Sequence, residues 1–121
     1  MTALHLRTAA LLLAGAIVSG GVSAPSPAAE PAVVRIVAKK FSYTPAEVRL
    51  KKGSTVVLEL LSEDRVHGFN LPELGIRTDV TPGTPTRVTI TPGKTGTFPF
   101  HCDVFCGDGH DEMNGVVVVT E

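Results

Sequence analysis

A chain of 121 residues with a formal net charge of -1 is one domain at most, and it has no basic excess with which to wrap nucleic acid or coat an anionic membrane. The distribution of charge says more than the total: six basic residues stand against two acidic ones between Glu30 and Lys52, whereas Cys102 to Met113 carries Asp103, Asp108, Asp111 and Glu112 and no basic residue. Both runs read as solvated surface, and the second also reads as an acidic rim able to steer a basic partner.

At the N-terminus, His5 and Arg7 precede an apolar stretch from Ala9 to Val18, and Gly20, Gly21 and Ser23 follow. This is the layout of a secretory signal: a positive start, an apolar run of ~7 to 15 residues and a small-residue cleavage region. Residues 1–28 are therefore expected to be a signal peptide and the start of a linker, with cleavage between Ser23 and Ala29, and the protein to be periplasmic or secreted. The apolar run falls short of the ~18 residues of a spanning helix, so no stable membrane span is expected after cleavage. An uncleaved anchor is the alternative. Pro25 to Pro31 reads as a short spacer rich in proline and alanine.

The folded domain is expected over residues 32–121, where short apolar or alternating runs are punctuated by proline and glycine. The candidate strands are Val33 to Ala38, Ala46 to Leu50, Thr55 to Leu61, Gly68 to Leu71, Thr86 to Thr91, Gly96 to Cys102 and Gly115 to Thr120. Val48 and Leu50 alternate with Glu47, Arg49 and Lys51, which puts aliphatics on one face and charges on the other. Turns are expected at Lys52-Gly53, Pro82-Gly83 and Pro92-Gly93. About seven short strands fit an all-β fold of two sheets packed face to face. The four valines Val116 to Val119 suit a strand buried on both sides. That last strand follows the cysteine segment at once, so the segment is a loop pinned between two strands, where binding chemistry is often placed.

Cys102-Asp103-Val104-Phe105-Cys106-Gly107-Asp108-Gly109-His110-Asp111-Glu112-Met113 packs two thiols, an imidazole and a thioether into one loop, and these are nearly all the soft donors outside the signal. Thiolate and thioether together favour copper, whereas zinc sites are normally filled by cysteine, histidine and carboxylate, so Met113 is the discriminating ligand. Gly107 and Gly109 let the loop bend enough for His110 to face the cysteines. Plainer readings compete: a structural disulfide in an oxidising compartment, a core methionine and a surface histidine. His67 supplies a donor from outside the loop, although alone it would be an ordinary loop histidine. His101, next to Cys102 in an extended strand, should point to the opposite face and is left out. Phe98, Phe100 and Phe105 are expected to form an apolar shell. No nucleophile-base pair or open carboxylate dyad is evident, so an enzyme is not expected.

One upstream histidine followed by C-x3-C-x3-H-x2-M resembles the dinuclear copper (CuA) domain of cytochrome c oxidase subunit II and of nitrous oxide reductase, in the cupredoxin family. The likeness extends through His67-Gly68-Phe69-Asn70-Leu71-Pro72-Glu73-Leu74-Gly75-Ile76-Arg77-Thr78-Asp79-Val80, and the chain is also similar to EfeO-type cupredoxin-like proteins. The resemblance implies a cupredoxin-like Greek-key β-sandwich in which Cys102 and Cys106 bridge two copper ions. One ion would take His67 and Met113, the other His110 and the carbonyl of Val104. Subunit II has glutamate at the Val104 position; a carbonyl ligand survives that change. The sequence has no tryptophan to admit electrons and no C-x-x-C-H haem site, and no transmembrane hairpin or propeller-sized catalytic domain is expected, so it is not expected to be an oxidase or reductase subunit of the standard form. The implied function is electron transfer with a redox protein such as a c-type cytochrome or a terminal oxidase or reductase. Periplasmic copper delivery to an acceptor, or a mononuclear cupredoxin, are the alternatives.

Overall fold

The computed structural model describes residues 12–23 and 30–121. Of the expected export signal, 1–11 and the cleavage region 24–29 lie outside the described residues. Residues 12–23 carry no helix or strand, and Leu12, Leu13, Ile17, Val18 and Val22 are exposed. No helix among the described residues is long and apolar enough to cross a membrane.

Nine strands follow in chain order: β1 (Ala32–Lys39), β2 (Ser42–Thr44), β3 (Glu47–Lys51), β4 (Val56–Ser62), β5 (His67–Leu71), β6 (Ile76–Val80), β7 (Thr86–Ile90), β8 (Gly96–His101) and β9 (Asn114–Thr120). They form a four-stranded sheet in the order β2-β1-β4-β7 and a five-stranded sheet in the order β3-β9-β8-β5-β6. β1 pairs with β4 and β3 with β9 in parallel, which requires the chain to cross between sheets rather than return by a hairpin. The two-residue period chooses the core. Val48 and Leu50 of β3, Leu58 and Leu60 of β4, Phe69 and Leu71 of β5, and Phe98 and Phe100 of β8 all turn inward. Burial of each such side chain contributes about 1.5–3 kcal/mol before the entropy of ordering is counted. Phe69 and Phe100 lie 4.8 Å apart centroid to centroid, with Tyr43 edge-on to both.

The sheets hold nine strands where about seven are expected from sequence. β2 is only three residues long and stops before Pro45, and β6 carries Asp79, a residue type depleted in strands, so neither stands out from propensity. β9 is also not buried on both sides. Val117 and Val119 are in the core, but Val116 and Val118 are half-buried on the outer face. The uniform valine run instead suits a central position, because β9 is hydrogen-bonded to β3 on one side and β8 on the other.

Register decides where the cysteine loop lies. His101 at the end of β8 pairs with Asn114 at the start of β9, so Cys102 to Met113 spans the end of that pair. The same His101 faces Asn70 of antiparallel β5, which brings the start of β5, His67, to the same end of the sandwich.

Candidate metal centre

His67 is fully buried although it begins a strand, and its ring is held from one side only. Nε2 lies 2.6 Å from Asp64 Oδ1, while Nδ1 has no hydrogen-bond partner. Partial burial raises the Asp64 carboxyl, but hydrogen bonds from the Lys40 N–H, the His67 ring and the Arg65 N–H outweigh it and pull it down to about 2. An ionised carboxylate can only accept, so Nε2 donates to it, and in the neutral ring Nδ1 is an acceptor left without a partner. A buried acceptor without a partner is costly, and a metal ion would satisfy it.

One ring nitrogen of His67 and the sulfurs of Cys102 and Cys106 lie within 4.8 Å of one another. The cysteines are free, with sulfurs 3.8 Å apart, so the pair is not bridged as a structural disulfide. Cys106 Sγ stands 3.6 Å from His110 Nδ1 and 3.8 Å from Met113 Sδ, and Cys102 Sγ stands 3.1 Å from the carbonyl oxygen of Val104. The other four residues expected from sequence, His67, Val104, His110 and Met113, therefore lie around the two sulfurs. His101 is exposed beside buried Cys102, as strand alternation requires.

The loop reaches this arrangement through local turns. The His110 N–H donates to the Gly107 carbonyl, the Met113 N–H to the His110 carbonyl, and the Cys102 N–H to the Met113 carbonyl. The two glycines act differently. Gly107 has φ of 135°, open in practice to glycine alone, whereas Gly109 has ordinary φ but would collide with the Phe41 ring if it bore a Cβ. Gly68 contributes twice: its N–H donates to Cys102 Sγ at 3.3 Å, and its carbonyl accepts from the Tyr43 hydroxyl at 2.6 Å. Burial raises the Tyr43 hydroxyl far above its ordinary pKa, with the two cysteine sulfurs adding to the effect.

Burial, and then the neighbouring Cys102 sulfur, push the Cys106 thiol up to about 11. Two buried thiols in contact resist carrying two negative charges unless a cation sits between them, and metal binding reverses that resistance by displacing the protons. The donor set therefore fits a soft metal on chemistry as well as position.

Phe105 departs from expectation. It is 70% exposed and lies against the His110 ring at 5.8 Å, whereas Phe98 and Phe100 are buried in the core, where Phe100 packs with Phe69 and Tyr43. The exposure of Phe105 follows from its place at the apex of a loop, where alternation gives no guide. Asp64, Tyr43 and Phe41 are contributors that sequence alone does not single out. The spacing of Asp64, three residues before His67, is the one available clue.

The profile of the cupredoxin-like domain family matches residues 9–119, and the chain belongs to that family. Among its relatives is cytochrome c oxidase subunit 2 of Thermus thermophilus, 33% identical over 88 residues that cover 73% of this chain and 65% of that subunit. The nitrous-oxide reductase of Ralstonia nicotianae is 37% identical over 90 residues, covering 71% of this chain but 14% of the reductase. The chain thus spans less than two thirds of the length of these relatives. The crystal structure of the periplasmic domain of oxidase subunit II (CoxB) of Bradyrhizobium japonicum superposes with a TM-score of 0.69 at 20% identity, over 74% of this chain and 84% of that one, a likeness of fold.

Proposed function

We propose that this chain is an exported copper-binding electron carrier in which the sulfurs of Cys102 and Cys106 would help to hold two copper ions. His67 and Met113 would serve one ion, and His110 with the Val104 carbonyl the other. The observation that carries this reading is the position of Met113, a thioether 1% exposed and 3.8 Å from Cys106 Sγ, because thiolate with thioether selects copper over zinc. Copper bound there would supply a one-electron couple shared over both metals.

The chain's own residues do the rest. Two strands anchor the loop at its ends, and Gly107 and Phe41 fix its middle, so the donors are held before metal arrives. The Gly68 N–H would temper the charge on Cys102 Sγ, and both sulfurs lie in residues buried from water. His110 is half-buried beside exposed Phe105, which leaves that edge as the route for electrons. Exposed Asp108, Asp111 and Glu112 on the same loop suit a partner with a basic docking face, such as a c-type cytochrome or a terminal oxidase or reductase. The names of the relatives, an oxidase subunit and a reductase, support a place in such a chain of electron transfer.

The same open edge also suits copper delivery. A carrier retains copper and exchanges electrons rapidly with a cytochrome, whereas a delivery protein surrenders copper to an acceptor. The deciding experiment is copper loading of the purified exported protein, with metal analysis and electron paramagnetic resonance. Two coppers per chain with an electron delocalised over both nuclei are expected. One copper with a mononuclear spectrum would select the single-copper alternative, and a protein that refuses copper would sink the proposal.

A further inference from the structure

We infer that Arg77, on the outer face of β6, is a positioning residue for the metal centre, acting through a bidentate clamp on Asp103. Asp103 stands between two residues of the site, Cys102 with its sulfur and Val104 with its carbonyl. Arg77 Nε donates to Asp103 Oδ2 at 2.8 Å and Nη2 to Asp103 Oδ1 at 2.9 Å, the paired geometry in which guanidinium and carboxylate bind most directionally. The guanidinium is itself aimed by Asp79, which accepts from Nη1 at 2.6 Å.

Strand register explains why the clamp forms. Arg77 faces Asn70 and Asp79 faces Gly68 across β5 and β6, so all four positions share the outer face while His67 and Phe69 point inward. Gly68 leaves that face vacant beside the site. A Cβ there would overlap Asp103 Oδ1 and come within 2.9 Å of the Asp103 nitrogen, so the close approach of the loop to β5 needs a glycine at this position. Asp103 fills the space, and Arg77 captures it.

The stretch Cys102 to Val104 is thus tied from both faces. From within, the Gly68 N–H meets Cys102 Sγ and the Cys102 N–H meets the Met113 carbonyl. From without, Arg77 holds the intervening carboxylate. Without Arg77 the outer tie is gone, and Asp103 is left close to Asp79 with no counter-charge between them. The Val104 carbonyl and Cys102 sulfur would then lose their fixed separation. The chemical consequence rests on the copper reading; the clamp itself does not.

Two measurements on Arg77→Ala, Arg77→Lys, Asp103→Asn and the Arg77→Ala/Asp103→Asn double variant test it. In the metal-free protein, Cys102 is 3% exposed, so its alkylation by iodoacetamide reports opening of the loop. Alkylation is expected to be about 10-fold faster in Arg77→Ala than in wild type, with the double variant no faster than either single one, as expected of two residues acting as a unit. In the copper-loaded protein, copper affinity measured by competition with a chelator is expected to fall about 10-fold, with an altered copper hyperfine pattern and partial recovery in Arg77→Lys. Arg49→Ala, a charge removed from distant β3, is expected to change neither. Wild-type alkylation and affinity in Arg77→Ala, additive effects in the double variant, or an equal effect of Arg49→Ala would overturn the clamp. Should Arg77→Ala fail to fold, Asp103→Asn and Arg77→Lys carry the same comparison. A wild type that takes no copper would sink the copper reading alone, and the alkylation rates would still decide the clamp.

Discussion

Asp64 Oδ1 sits 2.6 Å from His67 Nε2, and this contact decides which nitrogen of the buried imidazole is left to bind. The carboxylate is not free to wander, because the Lys40 and Arg65 N–H groups each donate to it at 2.7 Å. Asp64→Asn keeps the shape but removes the charge that makes the ring a stronger donor. Copper affinity is expected to fall about 10-fold or more, with the far-ultraviolet circular dichroism unchanged. Chelator competition measures it, and wild-type affinity in this variant would show that Asp64 only packs.

Met113 separates a metal site from a core filler. Leucine has nearly the same volume, so Met113→Leu should cost less than about 1.5 kcal/mol of stability in the metal-free protein. The copper-loaded variant should nevertheless show a changed spectrum and a shifted reduction potential, since one soft ligand is gone. A variant with the wild-type spectrum and potential would place Met113 in the core and outside the site.

Much of this was legible in the sequence, and the reasons for the rest are specific. Alternation in Glu47 to Lys51 and the turn at Lys52-Gly53 mark β3 because one face is buried and the other wet. β6 and β2 are hidden because edge strands do not need strongly apolar sequences; both lie at the margin of a sheet. In the loop, donor identity is written in residue type, so Cys102, Cys106, His110 and Met113 could be read directly. Asp64, Tyr43 and Arg77 act through contacts between segments distant in sequence or through hydrogen-bond direction, which no local pattern records.

Stability should depend on pH at both ends of the range. Asp64, Asp103 and Glu59 all have folded pKa values below their ordinary ones; for Glu59, 4% exposed, the causes are first the Arg35 and then the Arg87 hydrogen bonds across β1, β4 and β7. Their stabilisation is present above the unfolded carboxyl range of about 4 and is lost as pH falls through their lowered folded values, which for Asp64 is about 2. The Cys106 thiol is raised, so its contribution is present below the unfolded thiol pKa of about 8.5 and is lost as pH rises through about 11. Thermal melts of metal-free protein should therefore fall on both flanks. Glu59→Gln should flatten the acid flank, and bound copper should remove the Cys106 contribution to the alkaline one. Flanks unmoved by Glu59→Gln and by copper would contradict these assignments.

Gly107 and Gly109 both face Phe41, but for different reasons, and the difference can be measured. Gly109→Ala meets only a steric obstacle, because its φ is ordinary. Gly107→Ala meets the same ring, with the Cβ 2.9 Å from two of its carbons, and also a φ of 135° that costs about 1–3 kcal/mol for a residue with a side chain. Both should lower the melting temperature, by roughly 4–8 °C per kcal/mol in a domain of this size. Adding Phe41→Ala, itself destabilising through the packing it removes, opens the space that both alanines need. Relative to Phe41→Ala alone, Gly109→Ala should then be close to neutral, while Gly107→Ala should still be penalised by its backbone. Equal rescue of the two would mean that space alone fixes the loop, and rescue of neither would mean that Phe41 is not what the glycines make room for.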